Sequence, residues 1–179
     1  SRDLGTSGPT APVEAISPEA WQKTLDIGLT GAFNAARAVI PIMKAQGSGA
    51  IVNIASNAGL MGCPNRSPYV AAKWALIGLT KTWAMELGSY NVRVNALCPA
   101  SVEGARIDAV IARDATARGV SEDAIRSVYE RQSSLRAFTR VEDIAAMVCY
   151  LAGDQGIRIS GQAIGIDGHT ETLANYLGP

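Results

Sequence analysis

Two strand-length apolar runs with a long helical stretch between them constrain this chain most. Ala50-Ile51-Val52-Asn53-Ile54-Ala55 is short, mostly apolar and partly β-branched, the composition of a buried parallel strand. Val92-Arg93-Val94-Asn95-Ala96-Leu97, closed by Cys98-Pro99, is the second. The helical pattern from Tyr69 to Leu87 lies between them, with Gly88 as its stop signal. Two strands joined through a helix run parallel in one sheet.

The flanking chain repeats the alternation. Residues 1–16 form a loop rich in Gly, Pro and Thr. Ser17-Pro18-Glu19 supplies a capping hydroxyl, a proline at the first helical position and an acid. The helix continues through Trp21, Leu25, Leu29, Phe33, Ala36 and Ile40, interrupted by Gly28 and Gly31. Pro41 is predicted to kink it, and Gln46-Gly47-Ser48-Gly49 ends it. Residues 103–133 are helical in two pieces, broken near Gly119, with Ser121-Glu122-Asp123 capping the second. Thr139-Arg140-Val141-Glu142 reads as a capping box before a helix from Asp143 to Leu151. Residues 162–168 give a third strand and its turn. The order implies an α/β domain with helices on both faces of a parallel sheet. Ligands of such sheets bind beyond the carboxyl ends of the strands.

Composition narrows the function classes. The 179 residues are 47% hydrophobic, enough to bury a core, and 16 basic side chains balance 16 acidic ones. Zero net charge excludes a strongly basic nucleic-acid binder. No apolar run approaches the roughly 18–20 residues of a membrane span, so no membrane partner is expected. Ser1-Arg2-Asp3-Leu4-Gly5 lacks the pattern of a signal peptide. Cys63, Cys98 and Cys149 fit neither a disulfide framework nor a metal site. A cytoplasmic location and no metal are the expectations.

The residues that follow the strands carry chemistry. Tyr69 and Lys73 stand four apart and share one helix face. A lysine ammonium near a phenol favours the phenolate, which suits the tyrosine to proton exchange near neutral pH. Ser56 ends the first strand, and its hydroxyl can bind an oxygen on which charge develops. Such a set suits carbonyl/alcohol interconversion.

Asn53-Ile54-Ala55-Ser56-Asn57-Ala58-Gly59, followed by Tyr69-Val70-Ala71-Ala72-Lys73, resembles the core of the short-chain dehydrogenase/reductase family. Ser56 lies thirteen residues before Tyr69, as in that family. Val92 to Pro99 and Ser160 to Gly168 resemble its two later strands. The resemblance implies a Rossmann-like doubly wound parallel sheet in one partial domain over residues 1–179, with 103–133 as a substrate lid. It implies hydride transfer between NAD or NADP and a small secondary alcohol or ketone. Tyr69 would be the general acid/base and would also contact the cofactor. Lys73 would support it and hold the nicotinamide ribose, and Ser56 would orient the substrate carbonyl. Pro99 to Val102 would meet the nicotinamide carboxamide through the backbone. A dimer or tetramer of identical chains is implied as well.

The sequence also departs from the family. The glycine-rich TGxxxGxG turn that cradles a pyrophosphate is not found, nor is the residue that separates NAD from NADP. Arg2-Asp3-Leu4-Gly5 matches the family's Asn-Asn-Ala-Gly only at its glycine. Gly28 stands in place of the family's asparagine, Ala100 in place of a glycine, and Gly104 in place of a cofactor-binding threonine. The first strand is therefore expected to expose an edge, and a non-catalytic fragment acting as an assembly partner is the alternative reading. Cys63 is expected to be an ordinary small apolar side chain, and His169 to serve a turn or subunit contact. Arg106, Arg113, Arg118 and Arg126 are read as a solvated helix face, with an acidic substrate as the alternative.

Overall fold

A computed structural model describes residues 6–174. Strands β1 (Gly49–Ile54), β2 (Val92–Pro99) and β3 (Ala163–Ile166) form a parallel sheet in the order β1-β2-β3. The register sets Ile51 against Val94 and Leu97 against Ile164. The helices are α1 (Pro18–Leu25), α2 (Gly31–Gln46), α3 (Ser67–Leu87), α4 (Ala105–Arg118), α5 (Glu122–Glu130) and α6 (Val141–Ala152).

The pleat of β2 explains why helices cover both faces. Side chains alternate along a strand. Val92, Val94, Ala96 and Cys98 point one way and pack with Ala36 of α2 and with Leu76, Ile77, Trp83 and Leu87 of α3. Arg93 points the other way, to the end of α6. Its guanidinium donates to the carbonyls of Leu151 and Ala152, and to those of Gly153 and Gly156 just beyond. The last carbonyls of a helix have no partners inside it, and a cation is favoured at that negative end. Arg93→Met is expected to destabilise the fold by about 2–3 kcal/mol, because hydrogen bonds to a charged donor are the strong ones. A denaturant midpoint within error of wild type would refute this.

Two sequence motifs prove to be mates. The Asn95 amide donates to the Ile159 carbonyl at 2.8 Å and accepts from Gln162 N at 3.1 Å. Ser160 Oγ accepts from Val94 N at 3.2 Å. The strand 92–99 and the segment 159–162 thus fix each other's register.

Several boundaries differ from expectation. Pro41 lies inside α2, which runs through it unbroken, and the irregular stretch is a π-helical turn upstream at Asp26–Thr30. Gly28 sits in that turn, where a Cβ would stand 3.4 Å from the Cβ of Ala72. Gly88 stays right-handed, and Asn91 takes the left-handed position three residues later. The α6 cap lies one residue downstream of the expected box: the Asp143 carboxylate accepts from Arg140 N at 3.1 Å. Thr139 is not the cap because its hydroxyl donates to the Ile166 carbonyl at 2.7 Å. The break at Gly119 (φ 67) and the Ser121 cap on Ala124 N fall where expected. Among the described residues β1 pairs with β2 alone, and Ile54 is 46% exposed. The Arg2–Gly5 stretch lies outside the described residues.

Candidate active site

The chain leaves β1 at its carboxyl end with Ala55 N donating to the Leu97 carbonyl at 2.7 Å. Ser56 then caps a 3-10 turn, Asn57–Gly59, its Oγ accepting from Ala58 N at 3.2 Å. This turn lies directly on α3. A Cβ at Gly59 would stand 2.9 Å from both the Lys73 carbonyl oxygen and Ile77 Cδ1. Glycine at this position lets the serine turn and the helix touch.

α3 presents Tyr69 and Lys73 one turn apart. Lys73 Nζ donates to the Ile54 carbonyl at 2.9 Å and lies 5.5 Å from the centre of the Tyr69 ring. The Arg66 guanidinium stands 4.9 Å from that ring and donates to the Ser7 carbonyl at 2.8 Å. The phenol ring therefore meets two cations. Burial holds Lys73 below the ordinary lysine range, the charge of Arg106 acts in the same direction, and Cys98 opposes both. Burial also pushes the Cys98 thiol up to about 11, against smaller opposing effects of Ser56 and Lys73. That leaves the thiol protonated at neutral pH.

Past β2, residues 99–103 are tied down from one side. Ala100 N donates to the Ile166 carbonyl at 3.2 Å, Glu103 N to the Thr139 carbonyl at 2.9 Å, and Thr139 N to the Ser101 carbonyl at 3.0 Å. The bridge between Val102 and Thr139 leaves Val102's own amide and carbonyl out of the pairing. Ser56, Tyr69, Lys73, Pro99 and Val102 all line one open cleft of about 290 Å³, together with Arg106. It lies at the carboxyl ends of β1 and β2.

The profile of the enoyl-(acyl carrier protein) reductase family matches residues 3–169. D-beta-hydroxybutyrate dehydrogenase of Rhizobium meliloti is 38% identical over 157 residues, which are 87% of this chain and 61% of that protein. This chain belongs to the short-chain dehydrogenase/reductase family. Trans-4-hydroxycyclohexanecarboxylate dehydrogenase of Sinomonas cyclohexanicum is 39% identical, covering 92% of this chain and 57% of its own length. The structure of a 4-hydroxyisoleucine dehydrogenase complexed with NADH superposes with a TM-score of 0.76 at 34% identity, covering 92% of this chain and 65% of that one. The chain thus spans about three fifths of the length of these curated relatives.

Two of the substitutions relative to the family sit in well-formed backbone. Gly104 has φ 133, in a region L side chains rarely adopt, so the backbone suits the glycine that replaces the family threonine. The irregular turn at Asp26–Thr30 forms with Gly28 in the asparagine's place. Helices α4 and α5 pack through Ile107, Ile111, Ala115 and Ile125. Arg106, Arg113 and Arg118 are exposed, as a solvated face requires, and Arg126 is half-buried. Arg126 pairs with Asp108, and Arg118 with Asp114. Arg106 lines the cleft and has no hydrogen bond or ion pair among the described residues.

Three further residues escaped the sequence reading. Arg66 precedes Tyr69 by three, a helical spacing that could have flagged it. Asn57 and Thr170 meet at 3.0 Å across 113 residues, and no local pattern announces that pair. The two weaker candidates are placed without a shared role. Burial raises the Cys63 thiol, with Arg66 opposing. His169 sits in the turn after β3 with Nδ1 2.6 Å from Ser134 Oγ. Among the described residues no cluster of His, Cys, Asp or Glu could hold a metal, and no helix is long and apolar enough to cross a membrane.

Proposed function

We propose that this chain carries the catalytic part of a nicotinamide-dependent dehydrogenase or reductase that interconverts a secondary alcohol and a ketone. One observation carries the reading: Ser56, Tyr69 and Lys73 line a single cleft with Pro99 and Val102 at the sheet's carboxyl edge. In reduction, the Tyr69 hydroxyl gives its proton to the substrate oxygen, and in oxidation it takes that proton back. Ser56 Oγ donates a hydrogen bond to the same oxygen.

The residues present fit a nicotinamide cofactor. Lys73 has three ammonium protons, of which the Ile54 carbonyl takes one, leaving two for ribose hydroxyls. The amide and carbonyl of Val102, which lie outside the pairing with Thr139 among the described residues, form a donor and acceptor pair suited to a carboxamide. Bound NAD or NADP would accept or supply the hydride. The NADH held by the 4-hydroxyisoleucine dehydrogenase supports this choice. Phe33, Trp74 and Met85 lie exposed on α2 and α3, which supports association with further copies of the chain.

The substrate is proposed to carry a carboxylate. Among the residues that line the cleft the charged ones are Lys73 and Arg106, and none is acidic. Arg106 lies in the first turn of α4, where the helix dipole favours an anion, so a bound carboxylate relieves two unfavourable placements at once. The substrates named for the three relatives above all bear carboxylates.

The test is an assay of the full-length protein on matched hydroxy acids and neutral secondary alcohols, followed through the absorbance of the reduced nicotinamide. Hydroxy acids are expected to be preferred in kcat/KM. Arg106→Ala is expected to shrink that preference by about 10- to 100-fold, the worth of one charge-assisted hydrogen bond. A preference unchanged in Arg106→Ala would sink the carboxylate assignment. No nicotinamide turnover with any alcohol or ketone would sink the reading as a whole.

A further inference from the structure

Ser56 is held from two directions. Its Oγ accepts from Ala58 N at 3.2 Å and donates to Asn57 Oδ1 at 3.1 Å. Asn57 Nδ2 in turn donates to Thr170 Oγ1 at 3.0 Å. The three side chains belong to residues only 8%, 5% and 8% exposed. Thr170 is braced independently. Its amide donates to Asp167 Oδ2 at 3.2 Å, it bridges to Ser133, and Glu171 N donates to the Gln132 carbonyl at 2.8 Å. A buried hydrogen-bonded line therefore runs from the site serine to the turn after β3.

The polarity of that line matters. A serine hydroxyl has one proton, and here it is committed to Asn57. A substrate carbonyl needs that proton. A carboxamide carries a donor and an acceptor of nearly equal shape, and a threonine hydroxyl can serve as either. Turning the Asn57 amide end for end therefore preserves every contact. Thr170 Oγ1 then donates to Oδ1, and Nδ2 donates to Ser56 Oγ. Ser56 accepts from both Ala58 and Asn57, and its proton is free to point into the cleft.

We propose that Asn57, anchored by Thr170, is a positioning residue that reverses the hydrogen-bond polarity of Ser56 when a carbonyl oxygen enters the site. The proposal rests on the reading of Ser56 as the donor to the substrate oxygen. Thr170 suits the task because it can follow the amide in both orientations. An apolar residue there would leave one end of a buried amide unpaired whichever way it turned.

The test uses Thr170→Val, Thr170→Ser and Asn57→Asp in the full-length protein, with kcat, KM and cofactor affinity measured for each. Thr170→Val keeps the shape and removes the hydroxyl. It is expected to lower kcat for ketone reduction about 5- to 10-fold, the scale of one neutral hydrogen bond, with cofactor affinity unchanged. Thr170→Ser is expected to restore kcat. Asn57→Asp offers acceptors alone when ionised, so it keeps the Ser56 proton committed and is expected to lower kcat more than Thr170→Val does. Wild-type kcat in Thr170→Val, failure of Thr170→Ser to rescue, or an equal loss of kcat and cofactor affinity would each overturn the proposal. Tyr69→Phe separates the two layers. If it is inactive while Thr170→Val is normal, the positioning role alone fails. If Tyr69→Phe is fully active, the underlying reading of the site fails.

Discussion

Tyr69→Phe is expected to lower kcat by about 10³-fold, within the range that a positioned proton donor contributes. Cofactor affinity is expected to stay close to wild type. The substitution removes one oxygen and keeps the ring. That ring is what Arg66 and Lys73 face, at 4.9 and 5.5 Å, and the attraction of a cation for an aromatic face survives in phenylalanine. The helix N-terminus and the cleft wall should therefore be unaltered. The lost activity reports on the hydroxyl, not on the fold. Steady-state kinetics with a fluorescence titration of the reduced nicotinamide would decide it. A variant that keeps more than a small fraction of wild-type kcat would show that the proton comes from elsewhere. Loss of cofactor affinity in step with kcat would show that the phenol acts in binding.

What could be read in the sequence was what local spacing encodes. Tyr69 and Lys73 share a face because α3 is regular there, and Ser56 follows a strand by rule. Pro99 ends β2, and Val102 follows it in the same way. The glycine at 119 and the serine at 121 announced the break between α4 and α5 through short-range hydrogen bonding. The features that escaped depend on distant partners. Arg93 closes α6 across 58 to 63 residues, and the pattern of β2 gives no hint of where that side chain goes. Thr139 offered a capping hydroxyl, but the carbonyl of Ile166 takes it, which moves the cap by one residue. Pro41 lacks the amide that would pair in an unbroken helix, yet α2 continues through it. Arg106 reads like Arg113, Arg118 and Arg126 in the sequence, and its place in the cleft wall is what sets it apart. The polarity of the Ser56 hydroxyl depends on a threonine 114 residues away, a distance over which sequence spacing carries no information.

Lys73→Met is expected to move activity and stability in opposite directions. Activity should fall by about 10²-fold or more, since the ammonium beside the phenol and its donors to the ribose are both lost. Stability should rise. Burial and the nearby charge of Arg106 hold the folded-state pKa of Lys73 below its ordinary value. Between those two values the unfolded chain binds more protons than the folded one, so stability increases with pH across that window. Below the window the cost of burying the charge is present in full, and above it the cost is gone. Methionine carries no charge to bury and keeps most of the stem. The carbonyl of Ile54 loses its Nζ donor, but that hydrogen bond is exposed, so water can replace it. The variant should therefore unfold at a higher temperature than wild type at neutral pH. The gap should close as the pH rises toward the ordinary lysine value. Thermal unfolding of both proteins across neutral to alkaline pH measures this directly. A gap that stays constant with pH, or a variant less stable than wild type at neutral pH, would mean that the half-buried ammonium is better compensated by its surroundings than the geometry of Ile54, Tyr69 and Arg106 implies.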